Sequence, residues 1–158
     1  MRSTFRIREY FAVLLVAAAM PAGAAVTVTF GPGPYSDMGP VGAEREKVKD
    51  ELARHLQALG ARYLAPQDNL RVEVLDVDLA GELQLSRGGR DVRVARGKAD
   101  FPRIKVRYTL EAGAKSASGE ETISDSSYLW FPARGRESEA LYHEKRLLDA
   151  WFKEHFAR

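Results

Sequence analysis

None of the 158 residues in the sequence is a cysteine. No disulfide framework can form, although an exported chain is able to carry one. Bacterial lipoproteins carry their lipid on a cysteine that follows the signal peptide, so we expect that this protein is not a lipoprotein. Zinc sites built on thiolates are excluded too, and the three histidines show no other ligand spacing.

Long apolar runs are equally scarce. The run from Phe11 to Met20 is well short of the roughly 20 residues that a membrane-spanning helix needs. Three arginines precede it, and Ala22-Gly23-Ala24 behind it fits the small-residue pattern that signal peptidase accepts. We predict a signal peptide at residues 1–24, with an uncleaved N-terminal anchor as the alternative, and a single domain at residues 25–158.

The mature chain has no excess of charge of either sign. Three of the 24 basic residues and one of the 22 acidic residues lie in the leader, which leaves 21 of each sign. This balance gives no support for binding to nucleic acid or to an anionic membrane. With cleavage near Ala24 or Ala25, we expect a periplasmic protein of a Gram-negative bacterium without a membrane span, or else a protein secreted to the medium.

Apolar periodicity predicts an α+β fold. Val26–Phe30 alternates as a strand does, and apolar residues recur at helical spacing from Val48 to Leu59, with Gly60 just past the expected helix end. The order β-α-β-β-β-β-α favours a two-layer sandwich, in which two helices cover one face of a mostly antiparallel sheet of four to five strands. The predicted segments are the five strands of this order at 26–30, 70–79, 83–85, 92–94 and 104–110, a further strand at 120–125, a hairpin turn at Gly88-Gly89, a turn over 113–120, and helices at 43–59 and 138–156.

The strand beginning at Leu70 changes its buried face partway along. Apolar residues occupy even positions from Leu70 to Val74 and odd positions from Leu75 onward. Because the side-chain period of a strand is two, this change requires an extra residue, and we predict a β-bulge where the two runs meet. Beyond such a bulge Asp76 and Asp78 point away from the core. Without a bulge, both sheet faces are covered and the two aspartates are buried.

Two carboxylates on one strand face suit either a metal site or ion pairs. A hard cation needs roughly six oxygen ligands, and Asp76 and Asp78 supply only part of that shell. Basic residues occupy the outward positions of the following strands, at Arg93, Lys105 and Arg107. We therefore favour cross-strand ion pairs over a metal or catalytic pair.

Six segments, in order along almost the whole mature chain, resemble one bacterial family, catalogued as domain of unknown function 3016. They are VTVTF, YSDMG, LRVEVLDVDLAGE, DFPRIKVRYTL, SDSSYL and LYHEKRLLDAWF. The resemblance implies an exported bacterial protein whose role is not established, and it brings no catalytic assignment. The family-like polar candidates are Asp37, Asp76, Asp78, Arg103, Asp125, Tyr128 and Glu144, together with Pro102 and Trp151.

Catalytic motifs are incomplete or missing from the sequence. His143-Glu144-Lys145 begins like a zinc-peptidase motif, but Leu147 stands where the second histidine is needed. No G-x-S-x-G elbow and no complete phosphate-binding loop occur. We therefore assign no catalytic residue, no metal and no cofactor.

Glu144 falls on the apolar face of the last predicted helix. A buried carboxylate costs several kcal/mol to desolvate unless it is paired. We expect it to lock this helix onto the sheet by meeting an arginine such as Arg103. The alternative is a general acid with a raised pKa.

Two classes of function remain open. The favoured one is a non-catalytic envelope module that binds an envelope protein or a cell-wall component through the polar sheet face and the loop GPGPYSDMGP, by analogy with other small sandwiches. The alternative is a small carboxylate-dependent or metal-dependent hydrolase, which requires Asp76, Asp78, Asp125 and Glu144 to converge in one cleft. The sequence determines neither the ligand nor the oligomeric state.

Overall fold

The computed structural model describes residues 24–33, 35–38, 42–85, 91–94, 99–130 and 139–157. The predicted leader, apart from Ala24, and the Gly88-Gly89 turn lie outside these ranges. The described strands are β1 (Ala25–Phe30), β2 (Asn69–Asp78), β3 (Glu82–Leu85), β4 (Asp91–Val94), β5 (Arg103–Ala112) and β6 (Lys115–Ser124). The α-helices are α1 (Ala43–Tyr63) and α2 (Tyr142–Phe156), and 3₁₀ turns lie at Ser36–Met38 and Tyr128–Trp130.

The main sheet has four strands in the order β1-β2-β5-β6. β1 is parallel to β2, because the chain crosses over through α1 between them, and the other pairs are antiparallel. β3 and β4 form a separate two-stranded antiparallel sheet beside it. The predicted α+β fold and its order of elements are confirmed.

The predicted β-bulge is present in β2. Val74 pairs with Val106 and Asp76 with Lys105, which leaves Leu75 as the extra residue. Val74 and Val77 are both buried, so the buried positions change from even to odd across the bulge. Asp76 is accordingly exposed and points away from the core.

Both helices pack on the same face of the sheet. The core cluster of the described residues joins buried leucines of α1, such as Leu56, to buried residues of α2, such as Phe152. The same cluster contains Val72 of β2 and Val106 of β5. The opposite face of the sheet carries polar and charged side chains. Among the described residues, no helix is long and apolar enough to cross a membrane.

Helix α1 continues past Gly60 to Tyr63, whereas the sequence predicts that it ends before Gly60. A Cβ atom at this position would lie 2.0 Å from Cγ2 of Val26, so glycine is needed for the close approach of α1 to β1. Two other boundaries were wrong. The predicted turn over 113–120 is confined to Gly113 and Ala114, with β6 starting at Lys115, and α2 begins at Tyr142.

Candidate functional site

The turn that follows β2, residues 79–81, is held through its three amide groups by three different parts of the chain. The amide of Leu79 donates to Oδ2 of Asp37 at 2.7 Å, and that of Ala80 donates to Oε1 of Glu144 at 2.6 Å. The amide of Gly81 donates to the carbonyl of Asp100 at 2.9 Å. Gly81 has φ +78°, a backbone conformation that favours glycine.

Arg93 of β4 binds the carbonyl side of the same turn. Its Nη1 contacts the carbonyls of Leu79 and Ala80 at 3.3 Å and that of Gly81 more closely. Its Nη2 donates to Oδ2 of Asp37 at 2.9 Å and to the Asp37 carbonyl. The prediction that Arg93 lies outward on the sheet face was wrong, because β3 and β4 leave the main sheet and direct this guanidinium to the turn.

Glu144, in the first turn of α2, is only 3% exposed. Burial is the main cause that raises the pKa of its carboxyl group. The Ala80 amide and the charge of Arg93 oppose this shift, and the charge of Asp37 adds to it. Glu144 thus joins α2 to the end of β2, as the lock hypothesis required, but its partner is a backbone amide and not Arg103.

Arg103 pairs with Asp78 instead. Both Nε and Nη2 of Arg103 donate to Oδ2 of Asp78, at 2.9 Å and 2.6 Å. The guanidinium also lies 4.5 Å from the ring centre of Phe101. Asp78 therefore forms the cross-strand ion pair favoured for this strand face, although with a different arginine, and Asp76 lies opposite Lys105 in the register.

Tyr128 and Asp125 connect the end of β6 to neighbouring elements. Tyr128 is 1% exposed and its hydroxyl donates to Oδ1 of Asp100 at 2.9 Å. Asp125 accepts from Nη1 of Arg146 at 3.1 Å and from the Ser127 amide at 2.9 Å. The Asp125 amide donates to the carbonyl of Pro102 at 3.3 Å. These two candidates therefore support the segment that contains Asp100 and Pro102.

Trp151 belongs to a different part of the core. Its Nε1 donates to Oε1 of Glu121 at 2.7 Å, and Nε2 of His155 lies 3.2 Å from the same oxygen. By helical spacing His155 falls on the apolar face of α2, and this contact gives its polar ring a partner there. Glu121 is not among the residues predicted from the sequence, because it occupies a core-facing position of the edge strand β6.

A cleft of about 480 Å³ opens beside the 79–81 turn, where β2 ends and β5 begins. Three of the candidates from the sequence analysis line it, namely Asp37, Asp78 and Arg103. Its other lining residues, which that analysis did not single out, are Leu79, Gly81, Glu82, Ala99 and Asp100. Asp76, Asp125 and Glu144 do not line the cleft.

The polar face of the sheet carries a network of ion pairs next to the cleft. Arg107 contacts Glu73 at 2.7 Å and Glu120 at 2.8 Å, and Lys105 contacts Glu120 at 2.9 Å. Hydrogen bonds from Lys105 and then Arg107 are the largest causes that lower the pKa of Glu120. Lys105 and Arg107 therefore form the ion pairs predicted for this face, but with glutamates rather than with Asp76 and Asp78.

The arrangement of the carboxylates suits structural support better than metal binding. Asp37, Asp78, Asp125 and Glu144 each accept from a separate donor group. Within the described ranges no group of three or more histidine, aspartate or glutamate side chains is placed to hold a metal ion. Asp76, Asp78, Asp125 and Glu144, the four carboxylates of the hydrolase hypothesis, are therefore not gathered as metal ligands.

Comparison with known proteins places the chain in a family but gives it no activity. Comparisons with curated proteins and with solved structures find no match. A family model described as "Protein of unknown function (DUF3016)" matches residues 24–154, nearly the whole predicted mature chain. The resemblance noted in the sequence is therefore confirmed, and the chain belongs to the DUF3016 family.

Proposed function

We propose that this chain is an exported, non-catalytic binding module of the bacterial cell envelope. The leader has three arginines, then a short apolar run, then small residues, and this pattern supports export to the periplasm. Cleavage near Ala24 or Ala25 releases a single domain that begins at β1. Without cysteine there is no lipid attachment, so the domain acts as a soluble module.

One observation carries the preference for binding over catalysis: Glu144, Asp37 and Asp78 are already bonded within the fold. Glu144 and Asp37 hold the amides of the 79–81 turn, and Asp78 is paired with Arg103. A general acid or base must reach the proton that it transfers, and a metal site must gather its ligands around one point. Glu144 does not line the cleft, and Asp37 and Asp78, which do, are each paired with an arginine.

The binding surface that we propose is the polar sheet face together with the cleft at its end. The two helices occupy the opposite face, so a partner can approach this one without displacing them. Lys105 and Arg107 stand at its centre beside Glu73 and Glu120. Charged groups at such a surface select and orient a partner of complementary charge.

Site-specific photo-crosslinking in intact cells tests this function. A photoreactive residue replaces Thr122 on the exposed sheet face, and a second variant carries it at Gln57 on the exposed side of α1. A defined crosslinked band or linkage to the cell wall from position 122 alone is the expected result. The charge reversals Lys105→Glu and Arg107→Glu should abolish it, whereas Lys153→Glu on the helix layer should not.

Two other outcomes would overturn the proposal. Equal labelling from positions 57 and 122 would show that the sheet face is not selective. A stoichiometric divalent ion in the purified native protein would favour the hydrolase alternative instead. Cell fractionation checks export separately, because a chain that retains its leader in the cytoplasm cannot serve the envelope.

A further inference from the structure

The outer edge of β1 has backbone groups that are not used within the described sheet, in which β1 is the end strand. The Ala25 amide donates to the Asp68 carbonyl at 3.2 Å and the Gly31 amide to the Val74 carbonyl at 2.9 Å. Strand residues alternate in the direction of their backbone groups, so odd positions bond to β2. The even positions, Val26, Val28 and Phe30, therefore direct their N–H and C=O groups outward.

This edge differs chemically from the other edge of the sheet. Natural edge strands are commonly blunted by charged side chains, and β6 has Lys115, Glu120 and Glu121. β1 reads AVTVTF and contains no charge and no proline. Its core-facing side chains are only half-buried, although they pack against the hydrophobic cluster. β1 is thus the unprotected edge.

We propose that β1 pairs antiparallel with β1 of a second copy of this chain, about a two-fold axis at Val28. In this register Val26 lies opposite Phe30 of the second copy, and Val28 lies opposite its own equivalent. The backbone N–H and C=O groups of all three residues point outward from the sheet edge, so each pair exchanges two hydrogen bonds. Thr27 lies opposite Thr29 in the intervening pairs, and no like charges meet on either face.

The occupant is a second copy because the edge is self-complementary. A two-fold interface requires that residue i meets residue j while j meets i. In the proposed register the alternation of β1 sets apolar side chains opposite apolar ones on the core side and threonine opposite threonine on the other side. The pairing would join two four-stranded sheets into one and cover the exposed flanks of Val26, Val28 and Phe30. It does not depend on the proposed envelope function.

Analytical ultracentrifugation of the mature chain over a concentration series tests the dimer. We expect a concentration-dependent dimer for the native chain. The double variant Thr27→Lys/Thr29→Lys should be monomeric, since it sets lysines opposite each other across the axis while both sites are exposed in the monomer. The matched variant Ser116→Lys/Ser118→Lys on β6 should dimerise as the native chain does.

Cysteine cross-linking tests the register, and the absence of native cysteine keeps the result unambiguous. Chains with Thr27→Cys and chains with Thr29→Cys, once mixed and oxidised, should form a disulfide-linked dimer, because opposite non-hydrogen-bonded Cα atoms lie roughly 4.5 Å apart. Either variant alone should cross-link much less. A native chain that stays monomeric at every concentration overturns the proposal, as does a dimer that persists in the double lysine variant.

Discussion

The carboxylate of Glu144, at the start of α2, accepts a hydrogen bond of 2.6 Å from the backbone amide of Ala80, just behind β2. The two residues are 64 positions apart in the chain. Their contact fixes the last helix to the turn that lines the cleft. Because Asp37 and Arg93 bind the same turn, the turn links four separate segments of the chain.

Replacing Glu144 by alanine should destabilise the protein clearly. The Ala80 amide would lose its acceptor in a partly buried place, which costs roughly 1–3 kcal/mol, and the missing Glu144 side chain leaves a void as well. Thermal and denaturant unfolding measure the loss. Glu144→Gln keeps an oxygen acceptor of the same shape and should recover most of the stability; equal stability of the alanine variant and the native chain would contradict the role of this contact.

Glu144 should also make stability depend on pH. Since burial raises the pKa of its carboxyl group in the folded state, its favourable contribution is complete below the unfolded pKa and is lost as pH rises through the folded pKa. Glu144→Gln cannot ionise, so its stability relative to the native chain should increase with pH above about 4.5. Unfolding measured across this range gives the difference. A difference that is constant with pH would count against the raised pKa.

The close approach of α1 to β1 predicts that Gly60→Ala is destabilising. Alanine is the better helix former by about 1 kcal/mol, but its Cβ would lie 2.0 Å from Cγ2 of Val26. Overpacking of this kind costs typically 1–3 kcal/mol, so the free energy of unfolding should fall despite the better helix propensity. Gln57→Ala, at an exposed position on the same helix, is the control and should be neutral or stabilising; a clear gain at position 60 would refute the packing.

Arg93 and Asp37 should be energetically coupled. Their side chains meet at 2.9 Å and are each at least two-thirds shielded from solvent. A double-mutant cycle with Arg93→Met and Asp37→Asn should give a coupling of roughly 1 kcal/mol, as expected for residues in one hydrogen-bond network. The exposed pair Arg71–Glu111, at 3.3 Å, provides the comparison and should couple more weakly. An equally large coupling energy for the exposed pair would contradict a specific role of Arg93 in holding the turn.

The features that the sequence predicts well are local and periodic. The change from even to odd apolar positions around Val74 predicts a β-bulge, and the bulge lies there. The apolar stripes of the two helices likewise indicated which face is buried. These signals need no knowledge of distant contacts, because the period of a strand or helix is visible within a few residues.

The missed features depend on contacts between distant segments. Gly60 looks like a helix end until Val26 is known to pack against it. The small polar residues at the start of β6 lack alternation, because an edge strand buries little on either side. Nothing in the local sequence pattern shows that Arg93 and Asp37 both contact the 79–81 turn, which follows β2. The sequence therefore indicates individual candidate residues, but it does not predict how they are arranged around the 79–81 turn.

Amide hydrogen exchange of residues 79–81 tests the central claim most directly, namely that the candidate carboxylates hold the backbone in place. The amides of Leu79, Ala80 and Gly81 should exchange slowly in the native chain, far more slowly than that of Ala114 in the β5–β6 turn. Glu144→Ala should selectively speed exchange at Ala80. Fast exchange at all three amides of the native chain would contradict the account, because groups held by Asp37, Glu144 and Asp100 cannot be open to water.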